Sequence, residues 1–220
     1  KSTLDVRHGS AKLHAIRGLK AALSVSGLTL QAGYARSNLS VHWGDPLFSA
    51  LNTQLLATGN EHIAQDLSGN DSKASFLSAG FQYDSDRVLL IGEYARRSVD
   101  RYTVSSAGWY LTAGYRFGPL TPYMTVARQS QTAPVTTARS GVAPIDGLID
   151  LFNATRNKPQ RSSAIGVRWD AARNIAIKTQ LERIQPGPGG LGIFLSDNVL
   201  DDLNPGGPVH VLSISADFVF

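Results

Sequence analysis

The chain of 220 residues is 42% hydrophobic, contains no cysteine and carries a formal charge of +4 with an isoelectric point near 9.5. This excludes a disulfide framework and a thiolate metal centre, and the lack of any apolar run near 18 residues excludes a bundle of membrane helices. A membrane barrel stays open, because barrel strands need only about 9–11 residues and place a polar side chain at every second position.

The lysines and arginines are scattered rather than clustered, so nucleic acid is not an expected partner. At Lys1 there is no initiator Met, basic n-region or apolar h-region, and the expectation is a removed leader or a fragment. From there amphipathic strands come in pairs. Residues 13–25 and 28–36 flank Ser26-Gly27; 74–83 and 88–98 flank the turn from Asp84 to Arg87; 108–117 and 120–129 flank Gly118-Pro119; 161–169 and 174–185 flank the turn from Asp170 to Arg173. Each connection supplies a Gly, Pro, Asp or Asn where a hairpin needs unusual φ or a preset bend.

Between the pairs lie 37–73, 99–107, 130–160 and 186–208, three of them longer than connections in compact soluble domains. Long loops at one end and short turns at the other suit a transmembrane barrel. Within the loops, 46–56 (PLFSALNTQLL) and 145–152 are apolar and helix-compatible, and both an inward fold and an external packing stay open for them. The loop 186–208 gathers the oxygens of Asp197, Asn198, Asp201, Asp202 and Asn204, a composition that can bind Ca²⁺, but without EF-hand spacing a hydrated surface loop is expected.

Parity within the strands separates two faces. Leu19, Leu23, Leu30, Tyr34, Leu77, Phe81, Trp109, Leu111, Ile165, Trp169, Ile177 and Leu181 fall on an apolar parity. Lys20, Gln31, Arg116, Arg168, Lys178, Gln180 and Glu182 fall on the polar one, with Gln82 and Asp217. The strand 88–98 is ambiguous, since Leu89, Leu90 and Ile91 are all apolar; Glu93 is assigned to the polar face. If that face lines a pore, its excess of cations favours anionic permeants; the competing readings are salt-bridged filling of a narrow lumen and the solvated face of a soluble sheet. Aromatics crowd strand ends, as interfacial girdles would, and Tyr83, Phe117, Trp169 and Phe220 fall beside short turns; the competing reading is the general preference of aromatics for strands. Arg96, Arg97 and Arg101 sit near the far end of a strand, as phosphate-binding groups or as solvated rim charges.

No G-x-S-x-G, P-loop or H-E-x-x-H spacing occurs, and the five His residues are dispersed, so no enzyme activity, cofactor or metal is expected. The last twelve residues, VHVLSISADFVF, alternate strictly, with His210, Leu212, Ile214, Ala216, Phe218 and Phe220 on one parity. That strand, with GWYLTAGYRFGPLTPYMTVAR at 108–128 and IGVRWDAARNIAIKTQLE at 165–182, resembles the C-terminal half of Gram-negative outer-membrane porin-like β-barrels.

The resemblance implies an all-β fold, a transmembrane antiparallel up-and-down β-barrel forming one domain over residues 1–220, of which nine strands are readable. Nine is odd, whereas single-chain bacterial barrels are even. Either a strand lies near 1–8, or this is the C-terminal part of a barrel of about 16 strands with about seven absent. The resemblance further implies residence in the outer membrane of a Gram-negative bacterium and passive diffusion of small hydrophilic solutes. It implies a C-terminal strand read by the barrel-assembly machinery, contact with the lipid bilayer and lipopolysaccharide, and assembly as a homotrimer. The alternative is a narrow, non-conducting outer-membrane barrel that serves as an anchor or binds ligands through its long loops. A soluble β-sandwich is the third reading.

Overall fold

A computed structural model describes residues 10–42, 46–187 and 207–219. Nine strands form a single antiparallel sheet in sequence order: β1 (Ser10–Val25), β2 (Leu28–His42), β3 (Ser72–Asp84), β4 (Val88–Val99), β5 (Ser105–Tyr115), β6 (Leu120–Ala133), β7 (Gln160–Ala172), β8 (Ile175–Pro186) and β9 (Val209–Phe218). Each strand pairs only with its sequence neighbours, so β1 and β9 are edges among the described residues. In such a meander the first and ninth strands run in the same direction.

The four short turns lie at one end of the sheet. Ser26 and Gly27 both have positive φ, +47° and +80°, the conformation of a two-residue hairpin turn whose twist matches its strands. Gly27 is required twice over, because a Cβ there would stand 2.5 Å from the Asp84 carbonyl oxygen of the neighbouring hairpin. The Gly27 carbonyl in turn accepts the Asp84 amide at 2.8 Å, tying the two turns together.

Several strands run further toward the long loops than parity predicts: β2 continues to His42 and β6 to Ala133, since pairing with a neighbour extends a ladder beyond the alternating segment. At the other end β5 stops at Tyr115, and Phe117 makes only an isolated bridge with Leu120. In β1 a bulge between His14 and Arg17, where Ala15 has φ of +52°, shifts the register.

The registers carry the apolar parity of every strand onto one face. Leu19 pairs with Tyr34 and Tyr34 with Leu77; Tyr94 pairs with Trp109; Met124 pairs with Ala113 and Ile165; Leu181 pairs with Ile165 and Leu212. This also resolves β4: Leu90 and Tyr94 join the apolar face, while Leu89, Ile91 and Glu93 lie on the other. Leu19, Ile165 and Ile214 are 78%, 61% and 71% exposed. A face of nine strands with such residues in the open far exceeds the few hundred Å² of contiguous apolar surface usual on soluble monomers.

The buried core lies elsewhere. Among the described residues three helices, α1 (Pro46–Ala57), α2 (Glu61–Asp66) and α3 (Ala143–Arg156), come from the two long loops with helix-compatible stretches; α2 was not expected. Leu51, Leu55, Ile63, Leu67, Ile149 and Phe152 are completely buried among them, joined by Val104 and Val135 from adjoining loops. The expected strand at 1–8, the terminal Phe220 and the oxygen-rich residues of the last long loop lie outside the described residues.

Candidate functional site

The second face of the sheet gathers the polar residues. Lys20 lies opposite Gly33; Gln31 lies between Ala22 and Gly80; Glu93 lies between Gly80 and Tyr110. Arg168 lies between Thr121 and Lys178, Gln180 opposite Gly166, and Glu182 opposite Ala164. Arg116 follows β5 directly, on the same parity. These eight residues share a face but not one cluster.

One cluster sits at the short-turn end. Arg116 pairs with Asp84 at 2.7 Å and donates to the Ser85 carbonyl. Arg168 bonds Asp170 at 2.9 Å and reaches Asp217 at 3.5 Å. Asp84 as hydrogen-bond acceptor holds the Arg116 guanidinium above its ordinary pKa. Two of the four predicted cations are therefore matched by carboxylates, and the net field at this end is weaker than residue counting suggests.

A second cluster lies on β6, β7 and β8. The Tyr123 hydroxyl donates to Gln180 Oε1 at 2.9 Å, Gln180 donates to Glu182 at 3.5 Å, and the Lys178 ammonium lies 5.1 Å from the Tyr123 ring centre. The ring crosses Gly166, where a Cβ would come within 2.3 Å of the Tyr123 hydroxyl oxygen and 2.7 Å of the Thr179 carbonyl. Gly166→Ala is therefore expected to expel the ring, break the Tyr123–Gln180 bond and cost about 1–3 kcal/mol. Denaturant titration of Gly166→Ala beside Tyr123→Phe checks this: the phenol-less variant keeps the ring and loses only the hydrogen bond, so the alanine variant must be the weaker of the two.

Toward the long loops, Phe76, Glu93, Arg97, Tyr110, Gln129 and Gln160 line a recess of about 480 Å³. It adjoins a second cavity of about 750 Å³ through Arg97, Ser106 and Gln129, which Leu47, Tyr102, Thr155 and Arg156 of the helical layer and its loops complete. The first cavity is also lined by Ala107, Trp109 and Arg128 of the apolar parity, but every strand residue of the second, Val41, Arg97, Ser106, Gln129 and Gln131, belongs to the polar parity, so the helices overhang the polar face.

The layer is tied down at several points. Val41 donates to the Gly69 carbonyl at 2.8 Å, Tyr102 N–H to the Asp66 carbonyl at 3.1 Å, and Arg97 to the Val104 carbonyl at 3.2 Å. Asn153 accepts from the Val135 amide at 3.0 Å and donates to the Thr136 carbonyl at 3.0 Å. Arg156 lies 3.3 Å from the Phe152 ring centre and 4.9 Å from that of Tyr102. At the start of α3, the Ser140 hydroxyl and amide both donate to Asp146, and these bonds hold its carboxyl below the usual range.

Tyr110 escaped the sequence reading, which marked Tyr123 only as a strand-end aromatic and Arg97 only as a phosphate-binding group or rim charge. For Tyr123 the parity relative to Gly114 and Gly166 carries the signal, since its side chain lies against glycines of both neighbouring strands. Among the described residues no three of His, Asp or Glu stand close enough to hold a metal. Compared with known proteins, the chain matches no family model and no curated protein.

Proposed function

We propose that the chain forms most of the wall of a transmembrane antiparallel β-barrel in an outer membrane, and that the barrel is a porin-like channel for passive diffusion of small hydrophilic solutes. The observation that carries this reading is the unbroken apolar face across nine strands, opposite a face rich in charged and amide side chains. Lipid satisfies the first and water the second. Tyr83, Tyr115, Trp169 and Phe218 at the short-turn end and Tyr34, Tyr94 and Trp109 six residues further along their strands supply two aromatic rows for the two interfaces.

Hydrocarbon tolerates no unpaired strand edge. Since β1 and β9 run the same way, closure by antiparallel pairing alone requires an odd number of further strands. About seven, giving a barrel of about 16, satisfies this and leaves room for an aqueous lumen. The mechanism is selection by width and lining charge, with the helical layer narrowing the passage and no chemical step. The overhang also favours a second reading, a barrel obstructed by its own loops that anchors or binds rather than conducts.

Planar-bilayer recording separates the two, because discrete conductance steps belong only to the first. Replacing Arg116, Arg168 and Lys178 together by Gln is expected to lower the anion-to-cation permeability ratio about twofold or more, since Asp84, Asp170 and Asp217 are left unopposed. Unchanged reversal potentials would remove these side chains from the conduction path.

A further inference from the structure

On the apolar face the hydrophobic row ends at a fixed distance from the short turns. Counting from the outward residue nearest each turn, the eighth residue along the strand is basic in seven of nine strands. These are Arg17 on β1, Arg36 on β2, Arg96 on β4, Arg128 on β6, Arg161 on β7, Arg183 on β8 and His210 on β9, while β3 and β5 have Ser75 and Ala107. All seven are exposed.

The pairing brings like charges together. Arg17 stands opposite Arg36, Arg128 opposite Arg161, and Arg183 opposite His210. Directly opposed like charges destabilise a sheet. Strand carboxylates offer no relief on this side, since Glu93, Glu182 and Asp217 are all on the polar face. Among the described residues none of these guanidinium groups forms an ion pair; Arg183 reaches only the amide oxygen of Gln185, at 3.5 Å. A cationic belt over an apolar band needs an anion supplied from outside, at the level where the apolar contact ends. Eight strand residues span about 26 Å, or about 20 Å across a bilayer at the usual barrel tilt, close to the height of an apolar band.

We infer that this belt is a docking surface for phosphate groups on lipid headgroups, with adjacent arginines closing on one phosphate and the acyl chains lying along the apolar rows below. Guanidinium forks suit phosphate oxygens in paired geometry, which favours a phosphorylated headgroup over a carboxylate point charge. The inference rests on the membrane reading for the depth of the belt, and it adds the contact residues and their pairing across strands.

The test uses the full chain in uncharged detergent with diphosphorylated lipid A, its dephosphorylated form and inorganic phosphate as separate titrants. The wild type is expected to bind the diphosphorylated lipid in preference to both others. The variant R96Q/R128Q/R161Q/R183Q is expected to bind it at least about tenfold more weakly, each basic group at an anionic surface being worth roughly a factor of five. The polar-face variant R168Q/K178Q is expected to keep the wild-type affinity. Equal binding of free phosphate, or equal loss in the polar-face variant, overturns the inference. If the quadruple variant does not fold, R128Q/R161Q alone carries the same comparison at the one opposed pair. Insertion into phosphatidylcholine vesicles is measured in parallel: a protein that inserts but ignores lipid A refutes the belt and keeps the membrane reading, and one that fails to insert refutes both.

Discussion

Phe152→Ala is expected to unfold the helical layer locally while the sheet stays intact. Phe152 is completely buried and packs on Phe48 and Tyr102, with ring centres 6.2 and 6.3 Å away and the Arg156 guanidinium stacked over it. Removing a buried aromatic side chain of this kind costs about 3–5 kcal/mol, through lost transfer energy and the cavity left behind. The loss falls on the layer because its core is built from helices and loops, whereas the strands are held by their own ladders. Hydrogen exchange read by mass spectrometry should show the amides of α1 and α3 exchanging about two to three orders of magnitude faster, with β5 to β8 unchanged. Uniform loss of protection would mean that sheet and layer fold as one unit. Under the proposed function the same variant should raise single-channel conductance, because the layer overhangs the polar face.

A charge placed in the middle of the apolar face should have the next largest effect, and it reports directly on which face meets lipid. Met124 is 55% exposed and is the third apolar-face residue of β6 counting from Leu120, level with Ala113 and Ile165. Met124→Arg is expected to cost about 2–4 kcal/mol in phosphatidylcholine vesicles, the usual penalty for a cation at the bilayer midplane. Ser213→Arg on the opposite face of β9 sits beside Gln180, within the polar surface, and should cost less than about 1 kcal/mol. Urea-dependent refolding into vesicles measures both. Equal penalties, or the reverse order, would remove lipid from the Met124 side.

The strand pattern was legible because alternation is a local property: a period-two sequence such as residues 209–218 pairs well only as a strand with unlike faces. The Ser26-Gly27 turn was legible for a similar reason, since few residue pairs accept two positive φ angles. The ambiguous strand β4 was not. With Leu89, Leu90 and Ile91 all apolar, only its registers against Tyr83 and Tyr115 assign each to a face. The polar cluster was half-legible: parity collected Lys178, Gln180 and Glu182, but the ring of Tyr123 that joins them comes from β6, and its place over Gly166 follows from pairing.

The helical layer divides in the same way. Residues 46–56 carry enough apolar spacing to suggest a helix, and α2 of the same loop covers part of it with Ile63 and Leu67. The other partner, α3, arrives from the loop after β6, and only the three-dimensional arrangement decided that the two would meet over the polar face. The basic belt is the sharpest case. Apart from Arg96, which adjoins Arg97, each arginine sits in the sequence as a single positive charge at the end of an apolar alternation, and its meaning depends on neighbours on other strands. Sequence by itself determined the strands, the turns and the two chemical faces, because these follow from the conformational preferences and hydropathy of nearby residues. The tertiary structure alone decided which charges are paired, which stand together unpaired and where the helices lie, because those depend on distances that cross-strand registers and long-range packing set.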